Sequence, residues 1–395
     1  MDPKEMNMKN ILSLAAAITL LAAILILSPA PALAQAGGHY VVTNNDPSSV
    51  ANSATIFKLE GMSLDAVKVL QTGGNGGGGG DFALVRVVLA GSGANQCLFV
   101  GDAGTSDIAA FTIPALAKVG NYTDPEGNSD GFGYSMGLAV RGKALFAAYG
   151  VSANIGVFEI QVGCKLKLLG TYDNAPGQSV SGMRVTPDGK TLVVGYGYGA
   201  NLVDSFSISS TGILTENGPY AGLNGPAGVD ITSDGKYAVF GDATGGTTQI
   251  EIYPINSNGT LGTETSLGGD GSLGAGQDSS DPWISPNGKF LYVSNNLSKQ
   301  VTSLGFSESP LGLSYVGITT LNDSSEIISI GGLTTATNSG TGGGIYVAEF
   351  SSPNGLVGLL RINSDGSTTE VSGSPYNNGT SSALLSLAAY PQRLF

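Results

Sequence analysis

Gly133-Tyr134-Ser135-Met136-Gly137 has the G-x-S-x-G spacing that presents a serine nucleophile on a strand-to-helix elbow. Acyl transfer of that kind needs a base within reach of the hydroxyl. The only histidine, His39, lies 96 residues upstream, and Ser135 opens an apolar run that reads as a strand with no helix after it. Gly189-Lys190-Thr191 resembles the end of a phosphate loop, but that loop needs a glycine where Arg184 stands. A better set closes short apolar runs. Phe99-Val100-Gly101-Asp102 and Val239-Phe240-Gly241-Asp242 are near-copies, and Tyr149, Tyr196, Tyr198, Asn295 and Glu349 end similar runs. Asp281 and Trp283 stand near the start of another. Gathered in one place, carboxylates and rings could hold a sugar by stacking and hydrogen bonding, or a hard cation such as calcium or magnesium by oxygen ligation. Taken singly, Asp and Asn at such ends cap the following turn through their own backbone.

What would gather them is a repeat. Thr186-Pro187-Asp188-Gly189-Lys190 precedes Leu192-Val193-Val194, Ser233-Asp234-Gly235-Lys236 precedes Tyr237-Ala238-Val239-Phe240, and Ser285-Pro286-Asn287-Gly288-Lys289 precedes Phe290-Leu291-Tyr292-Val293. Arg141-Gly142-Lys143 is a weaker copy, and the four glycines are spaced 47, 46 and 53 residues apart. Asp-Gly and Asn-Gly supply the positive φ of a tight hairpin. Each period continues through a third strand, such as Gln249 to Tyr253, and a turn at Asn258-Gly259 into a short fourth strand. Four antiparallel strands per period of about 40–50 residues is the signature of a propeller blade.

The expected fold is therefore all-β: a seven-bladed β-propeller of four-stranded antiparallel blades, occupying residues 35–395 as a single domain. The blades fall at 38–80, 81–130, 131–177, 178–225, 226–280, 281–325 and 326–380. The first begins at a second-type strand, Tyr40-Val41-Val42-Thr43, while Ala383 to Ala389 is a spare run at the far end. That C-terminal strand is expected to complete the first blade and remove an exposed edge. The hairpin turns then share one face. The ends of second strands and starts of first strands share the other, around the mouth of the axial channel, with Arg184 on an inner strand. Cys97, opening a second strand, and Cys164, near the next blade's strand-three to strand-four turn, fall on the hairpin face, where one bridge could join them.

The first 34 residues read as a signal peptide. Lys9 precedes an uncharged apolar run, Ile11 to Leu27, and Ala32-Leu33-Ala34 offers a small-x-small cleavage site after Ala34. Export would put the two cysteines in an oxidising compartment, periplasmic or extracellular, and leave no membrane span. The formal net charge of −13 argues against nucleic acid and anionic lipid as partners.

Through its Pro-Asp/Asn-Gly-Lys turns, Tyr40-Val41-Val42-Thr43-Asn44-Asn45 and Tyr292-Val293-Ser294-Asn295-Asn296, the chain resembles the lactonase-type seven-bladed propellers. These comprise phosphogluconolactonase-like proteins and related Tyr-Val-Thr-Asn-repeat surface and periplasmic propellers. The resemblance implies the same fold and, for some members, lactone hydrolysis by histidines near inner-strand starts, with Arg and Glu around the channel. Here the corresponding segments read Pro226-Ala227-Gly228-Val229-Asp230 and Asp281-Pro282-Trp283-Ile284. The leading expectation is thus a non-enzymatic scaffold that binds a protein, glycan or small ligand at the channel mouth and needs no cofactor. The alternative is a histidine-free lactone hydrolase using carboxylates and Arg184.

Overall fold

The computed structural model describes residues 39–78, 85–91, 96–129, 135–173, 180–197, 200–222, 225–322, 326–333, 344–350, 355–380 and 386–390. Among them the chain forms only strands and their connections. The order is β1 (His39–Asn44), β2 (Ala51–Glu60), β3 (Ser63–Asn75), β4 (Val87–Ala90), β5 (Gln96–Asp102), β6 (Asp107–Ile113), β7 (Lys118–Thr123), β8 (Met136–Arg141), β9 (Ala144–Tyr149) and β10 (Asn154–Ile160). It continues with β11 (Leu166–Asp173), β12 (Gly182–Val185), β13 (Thr191–Tyr196), β14 (Leu202–Ile208), β15 (Leu214–Glu216), β16 (Tyr220–Ala221), β17 (Pro226–Ile231), β18 (Tyr237–Asp242), β19 (Ile250–Pro254) and β20 (Thr265–Leu267). The last ten are β21 (Ser279–Ile284), β22 (Phe290–Asn295), β23 (Gln300–Glu308), β24 (Leu311–Thr320), β25 (Glu326–Leu333), β26 (Gly344–Phe350), β27 (Leu356–Ile362), β28 (Thr368–Glu370), β29 (Tyr376–Asn377) and β30 (Ser386–Tyr390).

These pair into seven antiparallel sheets, each with a path of four strands, and the sheets form a seven-bladed β-propeller. The two-residue strands β16 and β29 pair additionally with the third strands of the fourth and seventh blades. The ring closes with β30 pairing antiparallel to β1, Val42 opposite Ala388. The C-terminal strand is therefore the inner strand of the first blade, and the start of the apolar run, Ala383 to Leu385, lies outside the described residues. The inner strand of the sixth blade begins at Ser279, two residues before the expected boundary.

Period-two alternation explains why the ring is stable. Among the described residues there are seven hydrophobic clusters, one at each junction between consecutive blades. Leu192, Val194 and Tyr196 of β13 pack toward the third blade, whereas Val193 packs toward the fifth. Successive side chains of a strand point to opposite faces, so each inner blade surface is a core shared with one neighbour.

The outer strands carry a device that the repeat does not announce. In the first, second, third and sixth blades the register slips by one residue between strands three and four. The extra residues are Val67, Val119, Leu169 and Val316, and Gly120, Gly170 and Gly317 follow three of them. A bulge twists an edge strand away from a flat template for pairing. That protects edges that expose Val67 and Leu169.

Candidate functional site

The inner strands β12, β17 and β21 bring together a cation and two carboxylates. Arg184 donates through Nη2 to Asp230 Oδ1 at 2.7 Å and through Nε to the same oxygen at 3.1 Å. Asp230 also accepts the amide of Ile231 at 2.9 Å and, across the blade boundary, that of Ile284 at 2.8 Å. One blade further on, Asp281 Oδ2 accepts the amide of Ile330 at 3.0 Å. The result is a relay around the axis from Arg184 to Asp230, to the strand bearing Asp281, and on to β25. It uses the strand phase that faces the following blade, opposite to the phase of Val229 and Ile231.

Burial separates the roles of the three. Asp230 is fully buried and Asp281 is 7% exposed, while the Arg184 side chain keeps 33% of its surface in solvent. Burial works against the Arg184 charge. Asp230, and then Asp281, outweigh that penalty and hold the guanidinium above its ordinary value. A carboxylate whose oxygens already accept backbone amides and an arginine has few lone pairs left for a ligand. Close backbone approach makes the relay possible. A Cβ on Gly228 would strike Asp281 Oδ1, and one on Gly182 would lie 2.8 Å from Gly228 Cα.

The second-strand ends differ from expectation. Asp102, Tyr149, Tyr196, Asp242 and Asn295 do close β5, β9, β13, β18 and β22, but none is exposed. Each shares the phase of the core residues two and four positions earlier, so its side chain turns into the blade junction and away from the channel. Tyr149 joins the core between the second and third blades, and Tyr196 that between the third and fourth. Trp283 stacks on Tyr292 with ring centroids 5.8 Å apart, inside the junction of the sixth and seventh blades. Asn295 is held by Ser279 Oγ at 3.0 Å and Thr302 Oγ1 at 2.8 Å. Asp242 Oδ1 caps its own turn, accepting the Thr244 amide at 3.0 Å. Glu349 sits next to last in β26, opposite Ile327 and Leu356. Tyr198 lies outside the described residues.

Ser135 Oγ donates to the Val180 carbonyl at 2.9 Å and is 1% exposed, so it acts as a strand tie and no elbow is formed. The Asp188, Asp234 and Asn287 side chains each accept the amide two residues on, as hairpin turns require. Among the described residues no group of three or more His, Cys, Asp or Glu side chains is arranged to hold a metal ion.

Two buried polar clusters form that the sequence does not announce, although Asp102 stands out in it singly. Asp102 and Asp107 lie at the boundary of the first and second blades. Asn52 Nδ2 donates to Asp102 Oδ1 at 2.7 Å, and Asn121 Nδ2 donates to both carboxyl groups. Burial, reinforced by the Asp107 charge, pushes the Asp102 carboxyl up to about 8. A Cβ on Gly74 would come within 2.5 Å of Asp102 Oδ2, so the glycine makes room for it. Nearby, Arg86 and Asp46 form an ion pair with both side chains fully buried. The Arg86 amide donates to Ser386 Oγ at 3.0 Å, on the closing strand. Burial drives the guanidinium down to about 9. On the opposite face, Cys97 and Cys164 are joined in a disulfide, Cα atoms 5.5 Å apart, that links the second and third blades.

No model of a known protein family matches the chain, and no curated protein does. Solved structures do match. A Bacteroides fragilis protein described as a candidate 6-phosphogluconolactonase is 16% identical, covers 90% of this chain and 99% of its own, and superposes with a TM-score of 0.65. A Lactobacillus plantarum protein is 16% identical over 89% of this chain and 99% of its own, TM-score 0.64. A periplasmic gluconolactonase from Pseudomonas aeruginosa is 15% identical over 88% of this chain and 98% of its own, TM-score 0.62. At these identities the likeness shows a shared fold alone, the seven-bladed β-propeller.

Proposed function

We propose that this chain, built on the fold it shares with these propellers, is an exported binding module whose inner wall offers Arg184 to a small polar or anionic ligand. The observation that carries this reading is the division of labour around Arg184. Asp230 and Asp281 are committed to backbone amides of the next blade, while the Arg184 side chain keeps a third of its surface in solvent. A charge-assisted contact from arginine to a carboxylate or phosphate is strong and orients what it binds. Residues 1–34 would direct export, and no helix among the described residues is long and apolar enough to cross a membrane.

A second reading, lactone hydrolysis, is favoured by the convergence of one cation and two carboxylates on an inner wall of a lactonase-type fold. In it Arg184 would stabilise charge on the opening lactone. One experiment separates the two. The intact protein and R184Q are titrated calorimetrically with gluconate and neutral glucose, and hydrolysis of glucono-δ-lactone is followed in a pH-stat. The binding reading expects gluconate to bind, R184Q to lose it, and the lactone to open at its spontaneous rate. Accelerated opening that disappears in R184Q would replace the binding reading with the hydrolase. No binding and no acceleration would remove Arg184 from both.

A further inference from the structure

A groove of about 810 Å³ lies between the second and third blades on the hairpin face, away from the inner wall that carries Arg184. Gln96 and Cys97 open β5 on one side of it. Lys143 and Glu159 form the other, and the turn Gln161 to Lys165 forms its rim. Its size suits a ligand of two or three sugar-sized units.

The charge of the groove departs from that of the other hairpins in the repeat. In the fourth and fifth blades the hairpin lysine pairs with the aspartate of its own turn, Lys190 with Asp188 at 3.7 Å and Lys236 with Asp234 at 2.5 Å. In the third blade that turn reads Arg141-Gly142-Lys143, with no carboxylate, and Arg141 donates to the Pro187 carbonyl instead. Neither Lys143 nor Lys165 forms an ion pair among the described residues, although both line the groove. On a chain of net charge −13, the groove walls carry two ammonium groups against the single carboxylate of Glu159.

A second, independent observation points to a ligand. Gln96 Oε1 is buried and has no hydrogen-bond donor among the described residues. A buried acceptor left unsatisfied is costly, so a turn of the Gln96 side chain that brought Oε1 to a donor in the groove would be favourable. Glu159, on the opposite wall, is a second acceptor, contacted by Gln161 Nε2 only at 3.4 Å. Val162 adds apolar surface, with 94% of its own surface in solvent. The required ligand carries an anionic group for the lysines, hydroxyl donors for Gln96 and Glu159, and C–H faces for the aliphatic wall.

We infer that this groove binds an acidic carbohydrate, a short chain of uronic-acid units. The carboxylates sit between Lys143 and Lys165, a ring hydroxyl donates to Gln96 Oε1, and the sugar's C–H face rests on Val162. The inference is independent of the reading of Arg184.

The test is calorimetric titration of the intact protein with trigalacturonic acid and with neutral maltotriose at low and high salt. Trigalacturonate is expected to bind and maltotriose not, with affinity falling as salt rises. K143Q/K165Q, which keeps side-chain length at two exposed positions, should weaken binding at least tenfold. K190Q, a hairpin lysine on the same face, should bind as the unsubstituted protein does. Absence of trigalacturonate binding, equal binding of maltotriose, or unchanged binding by K143Q/K165Q would each overturn the inference. Loss of binding in R184Q alone would place the acid on the inner wall and equally overturn it.

Discussion

Replacing Asp102 by asparagine should make this protein more stable, and increasingly so as pH rises. Asp102 has no exposed surface, and its carboxyl is pushed from an ordinary 3.8 up to about 8, first by burial and then by the Asp107 charge. The unfolded chain releases this proton near pH 4, whereas the folded chain keeps it to about pH 8. The folded state therefore binds more protons across that window, and stability falls as pH rises through it. At about 1.4 kcal/mol for each pH unit that separates the two titrations, the ceiling on the loss is on the order of 5 kcal/mol. Relaxation of the polar cluster should reduce the observed figure to about 2–3 kcal/mol. Asparagine reproduces the protonated acid, its oxygen accepting from Asn52 Nδ2 and its amide donating toward Asp107, so that only the 3.4 Å contact from Asn121 is given up. The assay is equilibrium urea unfolding followed by tryptophan fluorescence at pH 4.5, 6, 7 and 8. D65N, at an exposed position on β3, serves as the control for net charge. D102N should match the parent at pH 4.5 and exceed it by pH 8. If the two stability curves run parallel, or D102N is the weaker protein at pH 8, the reasoning about this carboxyl pair is wrong.

Three other perturbations follow from the same geometry. D46N removes the counter-charge that Asp46 gives the buried Arg86 guanidinium, while asparagine tolerates the positive φ of 41° at this position. The expected loss is about 3–5 kcal/mol by urea unfolding, and a loss under about 1 kcal/mol would show that the pair is not held as described. C97S/C164S opens a loop closed across 67 residues and should cost about 2–4 kcal/mol, read as a lower midpoint in the same titration. A chain ending at residue 385 loses β30 and leaves the Tyr40–Asn44 edge unpaired. Light scattering should then report association at concentrations where the full chain is monodisperse.

Much of the architecture is legible in the sequence because it is written in short-range terms. Asp188-Gly189 and Asn287-Gly288 close hairpins within five residues, and the strands around them alternate with a period of two. The seven-fold count and the spare C-terminal strand follow from the same repeat. The candidate site is legible only in part. Arg184 is expected on an inner strand and lies there, but Asp230 appears in the sequence only as the end of the segment Pro226 to Asp230, with nothing to mark it as the partner of Arg184. Nothing in the sequence sets Asp46, Arg86 or Asp107 apart from other charged residues. Tyr149 and Tyr196 are expected at the channel mouth and lie in the core. That error has a readable signal. Leu145 and Ala147 share the strand phase of Tyr149, as Leu192 and Val194 share that of Tyr196, and an apolar phase continues into the core.

What the chain determines locally is thus its turns, its strands and the number of blades, because each depends on residues a few positions apart. What only the assembled ring decides is which polar side chains become partners. Arg184 meets Asp230 across 46 residues, Asp281 meets the Ile330 amide across 49, and Asp46 meets Arg86 across 40. Those separations are about one blade, and within a blade many Asp, Asn and Ser residues look alike. Which of them is stranded in a water-free junction, and so must find a specific partner, is set by the register and by the close approach of neighbouring sheets.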